Sequence, residues 1–220
     1  ARNEELLAKV SESFVKKYGK KKVAYFSYDL TKEANHKTLK RKILEKFQTI
    51  DGVIANIGDG KSLADPITSQ KHWQSIWSIN FDTALYTSRS FLPLLKKSKG
   101  VIIYVSSICG VEAFGAPVDY SVAKSALLAL SKNLARKVAP EVRVNVVAPG
   151  NVLFEGSTWE EKIEKDPDRV NKMLSSSVPM KRFAVPQEIA DVVVFLASAR
   201  ASFITGAVVK VDGGQTHSIL

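Results

Sequence analysis

The sequence predicts an α/β fold whose sheet is mostly parallel. Segments typical of strands alternate with segments typical of helices, which is the order in which parallel strands and their crossover helices are connected. Val101–Val105 is a continuous apolar run, which favours a strand covered on both faces. No linker, internal repeat or low-complexity stretch divides the 220 residues, so we expect one domain over residues 1–220.

Periodicity and turn residues place the elements. Apolar residues at helical spacing predict a first helix from Asn3 to Tyr18, with Gly19 as its stop. Further helices are predicted at about 31–47, 69–97, 118–139 and 186–197, and strands at 23–28, 53–57, 101–105, 142–147 and 207–211. Pro93 should kink or break its helix, because proline cannot donate the helical hydrogen bond. Short helices are expected in the long polar excursion at 151–179.

Composition excludes several functional classes. The net charge is +10, but no zinc-ligand spacing, basic zipper or RNA-binding signature accompanies it, so we expect no nucleic-acid partner. No apolar run reaches the ~20 residues that span a bilayer, and the three histidines show no metal-ligand spacing, so neither a membrane nor a metal is expected. Cys109 is the single cysteine, which fits a reducing compartment, and the cytoplasm is the expected location.

Several residues directly follow predicted strands. Asp29, Asn56, Ser107 and the pair Pro149-Gly150 each lie just past a strand end. In open α/β sheets, ligands bind beyond the carboxyl ends of the strands. A ligand site is therefore expected there.

Tyr120 and Lys124 carry the strongest chemical signal. They lie one turn apart on a predicted helix, so the phenol and the ammonium share one face. A free tyrosine has a pKa near ~10, which is too high for a base at neutral pH, and a nearby cation lowers that pKa. Tyr120 could then act as a general acid/base toward an alcohol or carbonyl oxygen. Alone, this spacing is weak evidence, because such pairs arise often by chance.

Ser107 and Asn80 strengthen the signal. Asn80 lies within a predicted helix, where asparagine is locally unfavourable. In order and spacing, Asn80, Ser107, Tyr120 and Lys124 resemble the four catalytic residues of the short-chain dehydrogenase/reductase family. The stretches similar to other elements of that family are Asp29-Leu30, Ala55–Gly58, Arg143–Gly150, Val178–Phe183 and Val211–Gly214. Over these motifs the chain also looks like 3-oxoacyl-[acyl-carrier-protein] reductases.

The resemblance implies a Rossmann-type, doubly wound parallel sheet. It also implies an NAD(P)-dependent oxidoreductase that interconverts a carbonyl and a secondary alcohol by hydride transfer. Tyr120 would be the general acid/base, and Lys124 would lower the pKa of Tyr120 and bind the nicotinamide ribose. Ser107 would bond the substrate oxygen, and Asn80 would hold a water that links Lys124 to solvent.

The resemblance also implies the binding residues. Those for the cofactor are Arg2, Asp29, Leu30, Asn56, Ile57, Gly58, Tyr120, Lys124, Pro149, Gly150 and Val152. Those for the substrate are Ser107, Cys109, Phe114, Tyr120, Asn151 and Phe154. Arg2 favours NADP over NAD, because its guanidinium suits a 2′-phosphate. Phe154 replaces a family threonine, so either Asn151 or Ser157 makes the missing bond, or Phe154 lines the substrate pocket.

One family element has no counterpart. The opening strand, the Gly-x-x-x-Gly-x-Gly turn and the following helix do not occur in the sequence. Ala1–Glu5 resembles the end of the family's second strand, so the expected sheet lacks its first two strands. The strands at 23–28 and 53–57 would then lose neighbours. We expect an upstream segment in the physical protein; the alternative is a fragment that cannot hold a dinucleotide alone.

Two other functions remain open. One is a sugar or sugar-nucleotide dehydrogenase of the same family, and the other is a non-catalytic dinucleotide-binding or regulatory protein. The resemblance also implies a homodimer or homotetramer, formed through the helices around Asn80–Leu95 and Val118–Ala139.

Overall fold

The computed structural model describes residues 1–219, and within them a four-stranded sheet forms the centre of the fold. In spatial order, its strands are β1 (Gly52–Ala55), β2 (Val101–Val105), β3 (Arg143–Pro149) and β4 (Val208–Val211). Ile103 of β2 pairs with Ile54 on one side and with Asn145 on the other. All neighbouring strands are parallel, so their carboxyl ends lie at the same end of the sheet. The predicted α/β class is confirmed.

Helices occupy most of the remaining chain. They are α1 (Glu4–Tyr18), α2 (Glu33–Phe47), α3 (Gln70–Trp77), α4 (Thr83–Ser98), α5 (Val118–Val138), α6 (Thr158–Lys165), α7 (Pro167–Ser177) and α8 (Pro186–Ala197). Asn3 caps α1 by accepting from Leu6 N at 2.9 Å, and Gly19 follows its last residue, as the sequence predicts. None of the helices among residues 1–219 is both long and apolar enough to cross a membrane.

The sheet is covered on both faces. On one face, Leu95 of α4 and Leu127 of α5 pack around Ile102. On the other face, Leu196 of α8 packs near Ile103. Successive residues of β2 therefore enter different core layers, which explains why this strand is apolar throughout. The doubly wound architecture is confirmed.

The segment at 23–28 is not a strand, so that prediction is wrong. Its β-branched and aromatic residues favour an extended backbone, but a strand also requires a neighbour for its hydrogen bonds. Within residues 1–219, the partner of Tyr28 N is the Ala1 carbonyl at 2.9 Å, and no ladder forms.

The helical run predicted at 69–97 is interrupted, but not at Pro93. Helix α4 continues through Pro93, whereas Ser78–Asp82 forms a π-helix between α3 and α4. The prediction of a break at Pro93 is wrong because Phe91 and Leu95, on either side, are anchored in the core. π-Helical turns are rare and occur frequently at functional sites. Asn80 lies within this one.

Candidate active site

A cavity of about 670 Å³ lies at the carboxyl ends of the central strands, and we call it the Tyr120 cavity. It gathers residues that the sequence assigns to catalysis or to cofactor binding. Among them are Asn56, Gly58, Tyr120, Lys124, Pro149 and Val152.

A second cavity of about 440 Å³, the Asp29 cavity, lies beside the first. The predicted cofactor residues that line it are Arg2, Asp29, Leu30, Asn56, Ile57 and Gly58. Asn56, Gly58 and Asp59 line both cavities, so the two adjoin along this wall.

Ser107 is carried by the turn that leaves β2, and this turn packs tightly against α5. Ser107 Oγ accepts from Cys109 N at 3.1 Å, which fixes the start of the turn. A Cβ on Gly110 would lie 2.7 Å from the carbonyl carbon of Lys124, so the close approach requires glycine. The turn places the Ser107 hydroxyl close enough to Tyr120 to lower the pKa of the phenol.

The pKa of Tyr120 is nevertheless raised overall, which favours the neutral phenol. Burial raises its pKa to about 12, and this effect exceeds the lowering by Ser107. The expected lowering of this pKa by Lys124 stays a prediction. Lys124 Nζ lies 5.7 Å from the centroid of the Tyr120 ring and donates to Val105 O at 3.2 Å.

Lys124 is held from both ends. Its side chain donates to the last residue of β2, and its backbone carbonyl accepts from Ser106 Oγ at 2.8 Å. Lys124 is 5% exposed, and burial lowers its pKa to about 8. An amine with a pKa in this range can lose and regain a proton near neutral pH.

Asn80 is fully buried and organises the wall between the cavities. Its Nδ2 donates to Asp59 O at 3.0 Å and to Ile76 O at 3.1 Å, while its Oδ1 accepts from Asp59 N at 3.1 Å. Both amide hydrogens are therefore used within the protein. The side chain fixes the backbone of Asp59, and its predicted role in holding a water stays a prediction.

Gly58 presents bare backbone where the cavities meet. A Cβ at this position would lie 2.8 Å from both Asn80 Oδ1 and Lys124 Nζ. The wall thus offers peptide groups beside an ammonium, and Arg2 adds a cation at the Asp29 cavity. These donors suit the hydroxyls and phosphate of a dinucleotide that spans both cavities. The residues present therefore fit the group that the resemblance implies.

Asp29 is fixed by a local turn. Its carboxylate accepts from Thr31 N at 3.1 Å and from Thr31 Oγ1 at 2.7 Å, and these bonds lower its pKa. Its carbonyl accepts from Asn35 Nδ2 at 2.8 Å. The Asp29-Leu30 pair is therefore held at the cavity by the start of α2.

The structure separates the alternatives for Phe154. Phe154 lines the Tyr120 cavity and is 53% exposed. Ser157 is already engaged as the cap of α6, where its Oγ accepts from Glu160 N. Asn151 lines another, small cavity, and its Nδ2 lies 3.5 Å from Met173 Sδ. The structure therefore favours Phe154 as part of the cavity wall. It does not favour Asn151 or Ser157 as the replacement for the family threonine.

The remaining predicted substrate and cofactor residues are less central. Cys109 lies close enough to Tyr120 to raise the pKa of the phenol. Phe114 is half-buried on the segment before α5 and lines neither cavity. Gly150 packs against Asp212, where a Cβ would lie 2.8 Å from Asp212 Cα.

Sequence reasoning missed two acidic residues. Asp59 lines both cavities and raises the pKa of Tyr120 through its charge. Asp119, directly before Tyr120, is a buried carboxylate that joins distant parts of the chain. Asp59 lies in a polar loop, and Asp119 lies in the first turn of a helix, where acidic residues are common, so neither position stands out in the sequence.

Comparison with known proteins decides the family. A family model described as enoyl-(acyl carrier protein) reductase matches residues 1–216. A short-chain dehydrogenase/reductase of Arabidopsis thaliana is 33% identical over 211 residues, which cover 94% of this chain and 81% of the relative. The chain belongs to the short-chain dehydrogenase/reductase family. It is accordingly an NAD(P)-dependent oxidoreductase.

Other short-chain dehydrogenases/reductases support the same placement. A 3-oxoacyl-[acyl-carrier-protein] reductase of Aquifex aeolicus is 30% identical over 211 residues, covering 94% of this chain and 81% of the relative. The L-sorbose reductase of Gluconobacter frateurii, solved with NADPH and L-sorbose, superposes with a TM-score of 0.90 at 28% identity. That comparison covers 100% of this chain and 86% of the solved one.

Proposed function

We propose that this protein is an NADPH-dependent reductase that converts a carbonyl into a secondary alcohol, with Tyr120 as the proton donor. The observation that carries the proposal is that Tyr120 and the buried Lys124 line one cavity at the carboxyl ends of the strands, with Lys124 Nζ 5.7 Å from the centroid of the Tyr120 ring. Burial also raises the pKa of Tyr120 to about 12, which favours the protonated phenol. A protonated phenol can donate to the oxygen of a carbonyl as it becomes an alkoxide. The reduction direction therefore matches the protonation state that the site favours.

Each neighbouring residue has a defined task in this reaction. The Ser107 hydroxyl, which acts on the pKa of Tyr120, orients the substrate oxygen and stabilises its developing charge. Lys124, whose pKa is lowered to about 8, returns a proton toward Tyr120 after the transfer. Asn80 keeps the Asp59 backbone in place beside them. The nicotinamide, when bound, supplies the hydride.

NADPH is the preferred cofactor in this proposal. Arg2 is the cation at the Asp29 cavity, and a guanidinium pairs well with a 2′-phosphate. The solved L-sorbose reductase that resembles this chain is an NADPH complex. Gly58, Lys124 and the Pro149–Val152 stretch would hold the nicotinamide end.

Two carbonyl classes are the leading substrates. Relatives named 3-oxoacyl-[acyl-carrier-protein] reductase favour a 3-oxoacyl thioester. The similarity to L-sorbose reductase favours a ketose instead. Phe154 in the wall of the Tyr120 cavity offers an apolar contact, which suits an acyl chain better than a polyol.

Assembly and location complete the proposal. We expect a homodimer or homotetramer through the helices that hold Asn80 and Tyr120, as the family resemblance implies. We expect the cytoplasm as its location, because the single cysteine fits a reducing compartment. Sedimentation of the purified protein measures the assembly.

The first experiment measures cofactor binding and turnover together. The polypeptide is titrated with NADPH and then with NADH, and loss of NADPH absorbance is followed with acetoacetyl thioesters and with ketoses. We expect NADPH to bind more tightly and the thioester to be reduced faster. Ketose reduction alone would select the sugar-reductase alternative. Binding without any turnover would favour the non-catalytic alternative, and absence of binding would refute the proposal for this polypeptide.

A further inference from the structure

Asp119 is a buried carboxylate at the start of α5, next to Tyr120. It is 2% exposed, and its Oδ1 accepts from Tyr120 N at 2.7 Å. Ser62 Oγ lies 2.8 Å and 2.9 Å from its two oxygens, and Thr68 Oγ1 lies 3.1 Å from Oδ2. A buried carboxylate is costly unless donors satisfy it, and these groups supply them. Such a concentration of donors indicates a specific role.

The two hydroxyl donors, Ser62 and Thr68, come from one loop, residues 58–69, which we call the Asp59 loop. Asn80 holds the start of this loop through Asp59. Asp119 holds its middle and end through Ser62 and Thr68. Asp59 and Gly60 of the same loop line the Tyr120 cavity. The carboxylate therefore links a wall of the cavity to the helix that bears the proton donor.

His72 adds a further donor to this network. Its Nε2 lies 3.0 Å from Ser62 Oγ and 3.6 Å from Asp119 Oδ2. The single hydroxyl hydrogen of Ser62 is directed to Asp119, so His72 Nε2 must donate to Ser62 Oγ. The chain of donation runs from His72 through Ser62 to Asp119.

This set of residues is not a hydrolytic triad. In such a triad the carboxylate bonds one ring nitrogen of the histidine while the serine donates its proton to the other. Here Ser62 and Asp119 approach the same nitrogen, and Ser62 donates to the carboxylate. His72 cannot activate this serine, which leaves a structural task for the network.

We propose that Asp119 is a positioning residue that fixes the Asp59 loop against the Tyr120 end of α5. It acts twice, by accepting from the Tyr120 backbone and by holding the loop that faces the phenol. The anchoring stands on the contacts alone, whereas its effect on turnover rests on the proposed reductase function. Substrate orientation depends on this wall, so loosening it reduces kcat more than it weakens NADPH binding at the Asp29 cavity.

The anchoring is tested without any substrate. Hydrogen exchange of the amides at 59–69 is measured by mass spectrometry in wild-type protein and in Asp119→Asn. The control is Asp166→Asn, because Asp166 also accepts from a backbone N–H, that of Arg169 at the start of α7, but lines neither cavity and joins no loop to α5. We expect exchange about tenfold faster in Asp119→Asn and unchanged in Asp166→Asn. Equal exchange in wild type and Asp119→Asn would overturn the anchoring.

Turnover tests the positioning. For Asp119→Asn we expect kcat to fall by about tenfold or more while KM for NADPH stays within about twofold, and Asp166→Asn should keep both values. Ser62→Ala should show the same pattern more weakly, and the double variant should be no slower than Asp119→Asn alone. Faster exchange with unchanged kcat would overturn the positioning role. Inactive wild-type protein would instead refute the reductase function, while the exchange data would still decide the anchoring.

A folding failure of Asp119→Asn does not end the test. Ser62→Ala and Thr68→Val each remove one donor and leave the carboxylate with the others. Faster exchange at 59–69 in both variants supports the proposal. Wild-type exchange and kcat in both would overturn it.

Discussion

The two cavities that adjoin at Gly58 are built in different ways. The Tyr120 cavity is formed by the ends of hydrogen-bonded strands and by α5, and Lys124 at its base is buried. The Asp29 cavity is lined instead by the turn Tyr28–Thr31 and by the first residues of the chain, where Arg2 is exposed. Proton chemistry requires fixed, dry groups, whereas recognition of a phosphate tolerates an exposed cation. The difference indicates that the two ends of the site should respond differently to mutation.

The largest expected effect is at the buried end. Tyr120→Phe removes the proton donor, so we expect kcat to fall by about a thousandfold or more with little change in NADPH affinity. Steady-state turnover and a fluorescence titration measure the two quantities.

Tyr104→Phe is the matched control for this prediction. Its hydroxyl is also buried and contacts Ser88 Oγ at 2.6 Å, but it lies in the core. We expect it to cost about 1 kcal/mol of stability and to leave kcat unchanged. Turnover that survives in Tyr120→Phe would refute the assignment of the proton donor.

A second prediction concerns pH and the buried ammonium. Because the pKa of Lys124 is lowered from 10.5 to about 8, the unfolded chain binds more protons than the folded one between these values. The contribution of Lys124 to the free energy of unfolding should therefore increase from pH 8 to pH 10, by on the order of 2 kcal/mol. Above pH 10 the raised pKa of Tyr120 and of Tyr104 acts in the opposite direction.

Urea titrations of wild-type protein and Lys124→Met between pH 8 and pH 10 check this sign. The free energy of unfolding of the wild-type protein should rise relative to that of Lys124→Met between these pH values, because methionine carries no titrating group. Lys137→Met, exposed on the same helix, should follow the wild-type curve. A wild-type curve parallel to that of Lys124→Met would show that the ammonium is not desolvated in solution.

The smallest effect is expected at the exposed end. Arg2→Ala should weaken NADPH binding about tenfold, or roughly 1.4 kcal/mol, and leave NADH binding unchanged, because only NADPH carries the 2′-phosphate. Arg41→Ala on α2 is the control, since Arg41 pairs with Glu45 outside the cavity. Equal losses for NADPH and NADH would assign Arg2 a structural role.

Local sequence patterns correctly predicted two kinds of element: a strand whose residues are apolar throughout, and a helix that carries its own capping residue. The apolar run of β2 and the capped helix α1 have the predicted limits, because a run of apolar residues and a cap act within a few positions. The segment 23–28 was wrongly predicted because a strand depends on a partner that its own residues do not specify. Pro93 was misjudged because core packing decided the outcome.

In the candidate site, too, local spacing predicts some contacts but not those between distant parts of the chain. The proximity of Tyr120 and Lys124 follows from helical spacing, and Ser107 follows from the end of β2. The Asp119 network joins residues 62, 68, 72 and 119, whose separations carry no periodic signal. The raised pKa of Tyr120 also required the structure, because burial outweighs the lowering by Ser107 and the Lys124 ammonium donates to Val105 O.

The π-helix at Ser78–Asp82 fixes the rotational phase between α3 and α4. Each helical residue advances the direction of its side chain by about 100°. Removing one residue from this segment would turn the Leu95 side of α4 away from the sheet, or turn Asn80 away from Asp59. In a lineage of such chains, the length of this segment should therefore resist single-residue deletion more strongly than its amino-acid composition resists substitution.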